Sequence, residues 1–217
     1  MLTWARQQSS YIWDLTTSHL YLSVVPILIA LAISLPVGAL IHRSRRWKAV
    51  VLGVGGVLFT IPSLTIFTVL PTIIGTRILD PLNVVIALVI YSTSLLIRTV
   101  VDGLDSVPPE TEQAAVAIGY RPLARLVLVQ LPVAVPVISA GLRVAVVTNV
   151  SIVSVASLIG VPQLGQLFTQ GAQQLYVDPV VVGVVLSLAL AAVLDLVVLT
   201  AGRLLTPWRP PSRVRHS

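Results

Sequence analysis

The sequence predicts an all-α, polytopic membrane protein with about five transmembrane helices, an outside N-terminus and a cytoplasmic C-terminus. Three observations predict it. The 217 residues are 56% hydrophobic and only 10% charged, with a mean hydropathy of +0.96, whereas soluble domains carry roughly 25% charge. The apolar residues fall into blocks long enough to cross a bilayer core of about 30 Å. The basic residues gather on alternate connections between those blocks, as they do on the cytoplasmic side of membrane proteins.

The elements follow in chain order. Residues 1–19 place Trp4, Tyr11 and Trp13 among polar neighbours, a composition that suits the headgroup layer and equally a partly ordered surface tail. This is read as an extracytoplasmic or interfacial segment preceding a transmembrane domain over 20–201. Leu20–Ile41 is an uncharged apolar run, about 33 Å long as a helix. It has neither the basic start nor the cleavage site of a leader peptide. Ala30, Ser34 and Gly38 recur every four residues along it, a stripe on which a second helix can approach closely. The turn that follows, His42 to Lys48, carries Arg43, Arg45, Arg46 and Lys48 and is therefore cytoplasmic.

Residues 49–74 are apolar but contain Thr60-Ile-Pro-Ser63. A single crossing kinked at Pro62 is expected, since proline removes one backbone hydrogen bond and bends a helix. Two crossings would place Arg98, Arg121 and Arg125 outside. With one, residues 82–100 cross inward, 101–135 form a cytoplasmic loop, 136–158 cross outward, 159–179 connect outside, and 180–201 return to a basic tail at 202–217. Twelve of the 14 basic residues then lie inside or at inner ends, with only Arg6 and Arg77 outside. The +6 charge is thus accounted for by the membrane, with no call for nucleic acid.

Arg143 and Asp195 lie within the fourth and fifth spans at equal depth, about 10 Å from the inner ends. A pair between them is expected, with Asp195 either a structural partner or a functional intramembrane acid. Gly183, Ser187 and Ala191 precede Asp195 at four-residue spacing, so this face should meet protein.

Catalytic patterns are absent. There is no cysteine, no phosphate-binding loop with its lysine, no H-E-x-x-H and no G-x-S-x-G, and His19, His42 and His216 show no metal-binding spacing. If the chain moves a solute against a gradient, the energy must come from elsewhere. The loop therefore draws attention. Pro108 and Pro109 suit a helix start, Glu110 and Glu112 complement its positive end, and Gly119 suits its stop. Pro122 opens a second short helix expected to end at Pro132, with Leu123, Leu126, Val127 and Leu131 along one side.

Gln113-Ala-Ala-Val-Ala-Ile-Gly119, followed by Leu131-Pro132 and Pro136, resembles the EAA loop of bacterial ABC-importer permease subunits. Thr60-Ile-Pro-Ser-Leu64 and Ser157-Leu-Ile-Gly-Val-Pro-Gln-Leu-Gly165 are similar to its osmoprotectant branch, which carries glycine betaine, carnitine, choline and related quaternary amines. The resemblance implies a multi-pass subunit of the bacterial cytoplasmic membrane, paired with a second permease subunit, a cytoplasmic ATPase dimer and an extracytoplasmic substrate-binding protein. ATP and Mg would be held by the ATPase, with no cofactor on this chain. It implies that Glu112, Gln113, Ala114, Ala115, Gly119, Arg121 and Arg125 form the ATPase-coupling surface, the small residues allowing close approach and the arginines pairing with acids. The family's glutamate position holds Gln113, with Glu112 one residue earlier. One residue is about 100° of helix rotation, so either Gln113 makes the contact as a neutral group or the helix turns to present Glu112. An importer for another solute such as methionine shares this loop. A channel or secondary transporter would call for mid-bilayer ionisable groups or inverted repeats, which are not seen.

Overall fold

A bilayer leaves no partner for an unpaired backbone amide, so spanning segments close their hydrogen bonds internally. The computed structural model, which describes residues 2–208, is accordingly helical, with no strand among the described residues. The helices are α1 Leu2–Gln7, α2 Ser9–Ile41, α3 Arg45–Thr60, α4 Ser63–Ile74, α5 Pro81–Asp105, α6 Pro109–Ala117 and α7 Pro122–Arg125. A π-helical turn, Leu126–Gln130, leads into α8 Leu131–Val155. A 3-10 turn, Ala156–Ile159, then precedes α9 Gln166–Gln174 and α10 Val177–Leu204. Arg209, Arg213, Arg215 and His216 of the basic tail lie outside the described residues.

Four segments are long and apolar enough to cross a membrane: Ser9–Ile41, Pro81–Asp105, Pro122–Ile159 and Val177–Leu204. The fifth is the pair α3 and α4, which meet at 100°. That is far sharper than the expected proline kink. Ile61 and Pro62 are both extended, with ψ of 129° and 131°, because the ring of Pro62 disfavours a helical Ile61. With two consecutive residues outside helical space the ladder stops and restarts. At 16 and 12 residues neither half alone reaches about 30 Å, so the two together make one broken span. The hydroxyl of Tyr91 donates to the Ile61 carbonyl freed at the break.

Two other boundaries differ from expectation. Residues 9–19 are not a separate segment but the first turns of α2. Trp4, Tyr11 and Leu15 pack with Leu164, Leu167, Val182 and Leu186. The second loop helix does not end at Pro132. It runs on into α8 through the π-helical turn Leu126–Gln130, which carries the helix past Pro132, a residue with no N–H to give to the ladder.

The centre of the fold is α5, which packs against α2, α3, α4 and α8. The predicted stripe faces this contact: Ala30 and Ser34 are fully buried, and a methyl at Gly38 would come within 2.6 Å of Val100. Gly103 of α5 meets Ile138 of α8 in the same way, and Gly141 of α8 lies directly on the Thr99 side chain. Hydrocarbon gives no hydrophobic drive for helix association, so contact of this closeness is what holds the spans together. A Gly141→Ala substitution should therefore destabilise the detergent-purified chain by about 1–3 kcal/mol, read by thermal unfolding. Gly56→Ala, in the interior of α3 where a methyl meets nothing within 4 Å, should leave the transition where it is or raise it slightly.

Candidate functional site: the cytoplasmic loop

The loop is built as a short, stiff helix on a fixed platform. Pro108 and Pro109 set its start with Glu110 and Glu112 in the first turn, where carboxylates complement the helix dipole. Its end is a Schellman motif, in which the Tyr120 amide bonds to the Ala115 carbonyl and the Gly119 amide to that of Val116. Gly119 takes φ of +88°. No neighbour lies within 4 Å of a methyl built there, so the glycine is required by the backbone turn.

The predicted residues divide between two faces. Gln113, Ala114, Gly119 and Arg121 are exposed, together with Val116, Ile118 at 75% and Leu123 at 72%. Ala115 is buried at 3%, so its small side chain serves packing within the chain. Arg125 is half-buried, with its Nε enclosed. Glu112 also turns inward. One carboxylate oxygen accepts from the Nε2 of Gln130, a side chain that is 2% exposed, and the other accepts from Nη2 of Arg43 at 3.3 Å. Of the two arrangements open to this helix, the chain adopts the one with Gln113 outward and Glu112 occupied.

The platform is the inner ends of α2, α3, α5 and α8. Lys48 Nζ meets Asp105 Oδ2 at 2.5 Å, and His42 Nδ1 lies 3.8 Å from Asp105 Oδ1. Burial, with Arg43 beside it, holds His42 below the usual imidazole range against the opposite pull of Asp105. Lys48 is thus the cation that Asp105 answers at neutral pH. Beneath, Leu126 and Leu131 pack on Val100, Leu104, Ala134 and Ile138, which fixes the π-helical turn to the α5–α8 seam.

Within the spans, Arg143 and Asp195 form the expected pair. Nε and Nη2 of Arg143 donate to the two carboxylate oxygens of Asp195, both at 2.7 Å, the bidentate geometry that guanidinium and carboxylate share. It joins α8 to α10. A second polar set, not expected from the sequence, lies near the outer end. His19, fully buried, places Nδ1 3.1 Å from Gln163 Oε1 and Nε2 3.1 Å from the Val150 carbonyl. Gln163 Oε1 also accepts from the Gly165 amide, and Ser18 donates to the Pro162 carbonyl. The outer connection is thereby tied to α2. Pro162-Gln-Leu-Gly165 was the available signal, but nothing in it names a histidine so distant in the chain. No metal-binding cluster occurs among the described residues.

Residues 30–205 match the family model described as binding-protein-dependent transport system inner membrane component. The chain belongs to that family. It is an inner-membrane permease of the ABC-importer class, whose members work with ATPase and binding-protein partners. The permease is 35% identical to the osmoprotectant import permease protein OsmW of Salmonella typhimurium, over 92% of this chain and 94% of that one. It is 32% identical to the choline transport system permease protein OpuBD of Bacillus subtilis, over 79% and 75% of the two chains. It is 31% identical to the glycine betaine/carnitine/choline transport system permease protein OpuCD of the same organism, over 94% and 89%. Its fold is similar to a chain from an inward-facing structure of the MetNI methionine ABC transporter, with TM-score 0.80, 20% identity and coverage of 92% and 98%.

The permease should lose thermal stability when Asp195→Asn or Arg143→Gln is introduced singly, since each leaves a partner charge unanswered in the spans. The double variant should recover part of the loss. A double variant no more stable than the worse single would show that the contact adds nothing.

Proposed function

We propose that this chain forms the translocation pathway of an ATP-driven importer for a small osmoprotectant, glycine betaine or another quaternary amine. The observation that carries the coupling half of this reading is the exposed face of α6. The helix presents Gln113, Ala114 and Val116 outward, and Gly119 and Arg121 are exposed in the turn that follows it. Small side chains along such a face let a partner surface approach closely, and Ile118 and Leu123 give it apolar area at the rim. The partner is a cytoplasmic ATPase dimer that binds ATP and Mg. The permease itself is non-catalytic and pairs with a second copy or a similar chain. Closure of the ATPase dimer moves the docked helices, and the interface between the two permeases opens alternately to each side.

The cargo follows from the relatives' names, all of which concern osmoprotectants, choline, carnitine or betaine. Recognition of a quaternary ammonium wants several converging aromatic rings. Here Phe59 and Tyr91 meet edge to face at 5.9 Å, and the hydroxyl of Tyr91 is committed to Ile61. Selection of the cargo therefore rests mainly with the extracytoplasmic binding protein.

Ala114→Glu should weaken co-purification of the ATPase at least about tenfold, since it buries an unpaired charge in the contact, while the permease keeps its fold. Undiminished association would remove α6 as the docking element. In cells that also express the cognate binding protein, radiolabelled glycine betaine or choline should accumulate and methionine should not. The reverse would reassign the cargo.

A further inference from the structure

We infer that Glu112 is a positioning residue inside the permease, which carries movement of α6 into α8 and into the turn between α2 and α3, and does not touch the ATPase. The inference rests on the proposed docking of α6 and assigns what lies behind it. Both oxygens of Glu112 are used within the chain, one by Gln130 and one by Arg43. Gln113, one residue on and about 100° around the helix, is exposed. The two neighbours therefore have opposite duties, one facing the partner and one facing the spans.

Gln130 is the decisive contact. Arg43 is half-exposed, and an exposed ion pair contributes little. Gln130 is buried, and its amide would stand unpaired without Glu112, so this charge-assisted bond is the one the chain has reason to keep. The backbone around Gln130 is also unusual. The Leu131 amide reaches back five residues to the Leu126 carbonyl, forming a single π turn directly ahead of Pro132. Such turns recur where a helix is deformed for function. Because α7, the π turn and α8 are continuous, a pull on Gln130 is a pull on the foot of a spanning helix.

The second route runs through Arg43. It lies in the turn that leads into α3, whose first turn carries Lys48, and Lys48 holds Asp105 at the end of α5. A displaced α6 thus meets α8 through one oxygen of Glu112 and the α2–α3 turn through the other. Removing the carboxylate leaves α6 attached by Pro108, Pro109 and the buried Ala115. Docking then survives and transmission does not.

The chain has no cysteine, so Val144→Cys, on the exposed face of α8, gives a single labelling site for an environment-sensitive fluorophore. In the reconstituted permease–ATPase complex, ATP should change its emission. With Glu112→Ala added, ATPase association and hydrolysis should stay within about twofold, while the emission change falls at least about fivefold, as expected for loss of one charge-assisted bond. The exchanged pair E112Q/Q130E, with the carboxylate on the other partner, should restore at least about half of it. A variant that merely loosens the fold would not be rescued this way. Loss of ATPase association in Glu112→Ala would overturn the inference by making Glu112 a docking contact. An unchanged emission response, or none in the unsubstituted complex, would overturn it too. Failure of the docking reading itself is seen separately, as undiminished association of Ala114→Glu.

Discussion

Helices in hydrocarbon gain nothing by hiding apolar side chains from one another, so what joins α2, α5 and α8 has to be closeness of fit. Three glycines set that fit: Gly38 against Val100, Gly103 against Ile138, and Gly141 against Thr99. They make α5 the fixed member of the structure, and everything with a functional reading hangs from it or beside it. The broken span folds back on it through Tyr91. The inner end of α3 is clamped to it by Lys48 on Asp105, with His42 at the end of α2 beside them. The cytoplasmic helix follows it after three residues.

A rigid centre is what a machine driven from one side needs. Under the proposed docking, α6 can do work only if its movement is not absorbed at the joint, and the joint is short, proline-stiffened and braced by Glu112. The opposite, outer end is braced differently, by the buried contacts of His19 and Gln163. In a medium with no water to spare, each of those polar atoms must find its partner within the chain. The result is a bundle fastened at both ends, with α3 and α10 left broad unburied faces on which lipid or a second permease can lie.

Much of this was legible in the residues. Span count and direction follow from apolar length and from where arginine falls, because both are properties of the chain alone. The Arg143–Asp195 pair was legible from equal depth, and the Ala30-Ser34-Gly38 face from its spacing. The sharp break at Pro62 was underestimated: a proline kink and a proline break begin with the same missing bond, and only the conformation of Ile61 separates them. The faces of α6 were not legible either. Gln113 and Glu112 are neighbours, and their orientation depends on Gln130, whose inward position comes from a π turn that no local pattern announces. Ala115 looked like a surface residue for the same reason.

The account turns on which way that helix faces. Single cysteines introduced at 112 and at 113 can be tested for cross-linking to cysteines on the ATPase surface, with no native thiol to interfere. The account predicts cross-linking from Gln113→Cys, and from Glu112→Cys only to a cysteine placed at Gln130. Cross-linking of the ATPase by position 112 and not by 113 would contradict it.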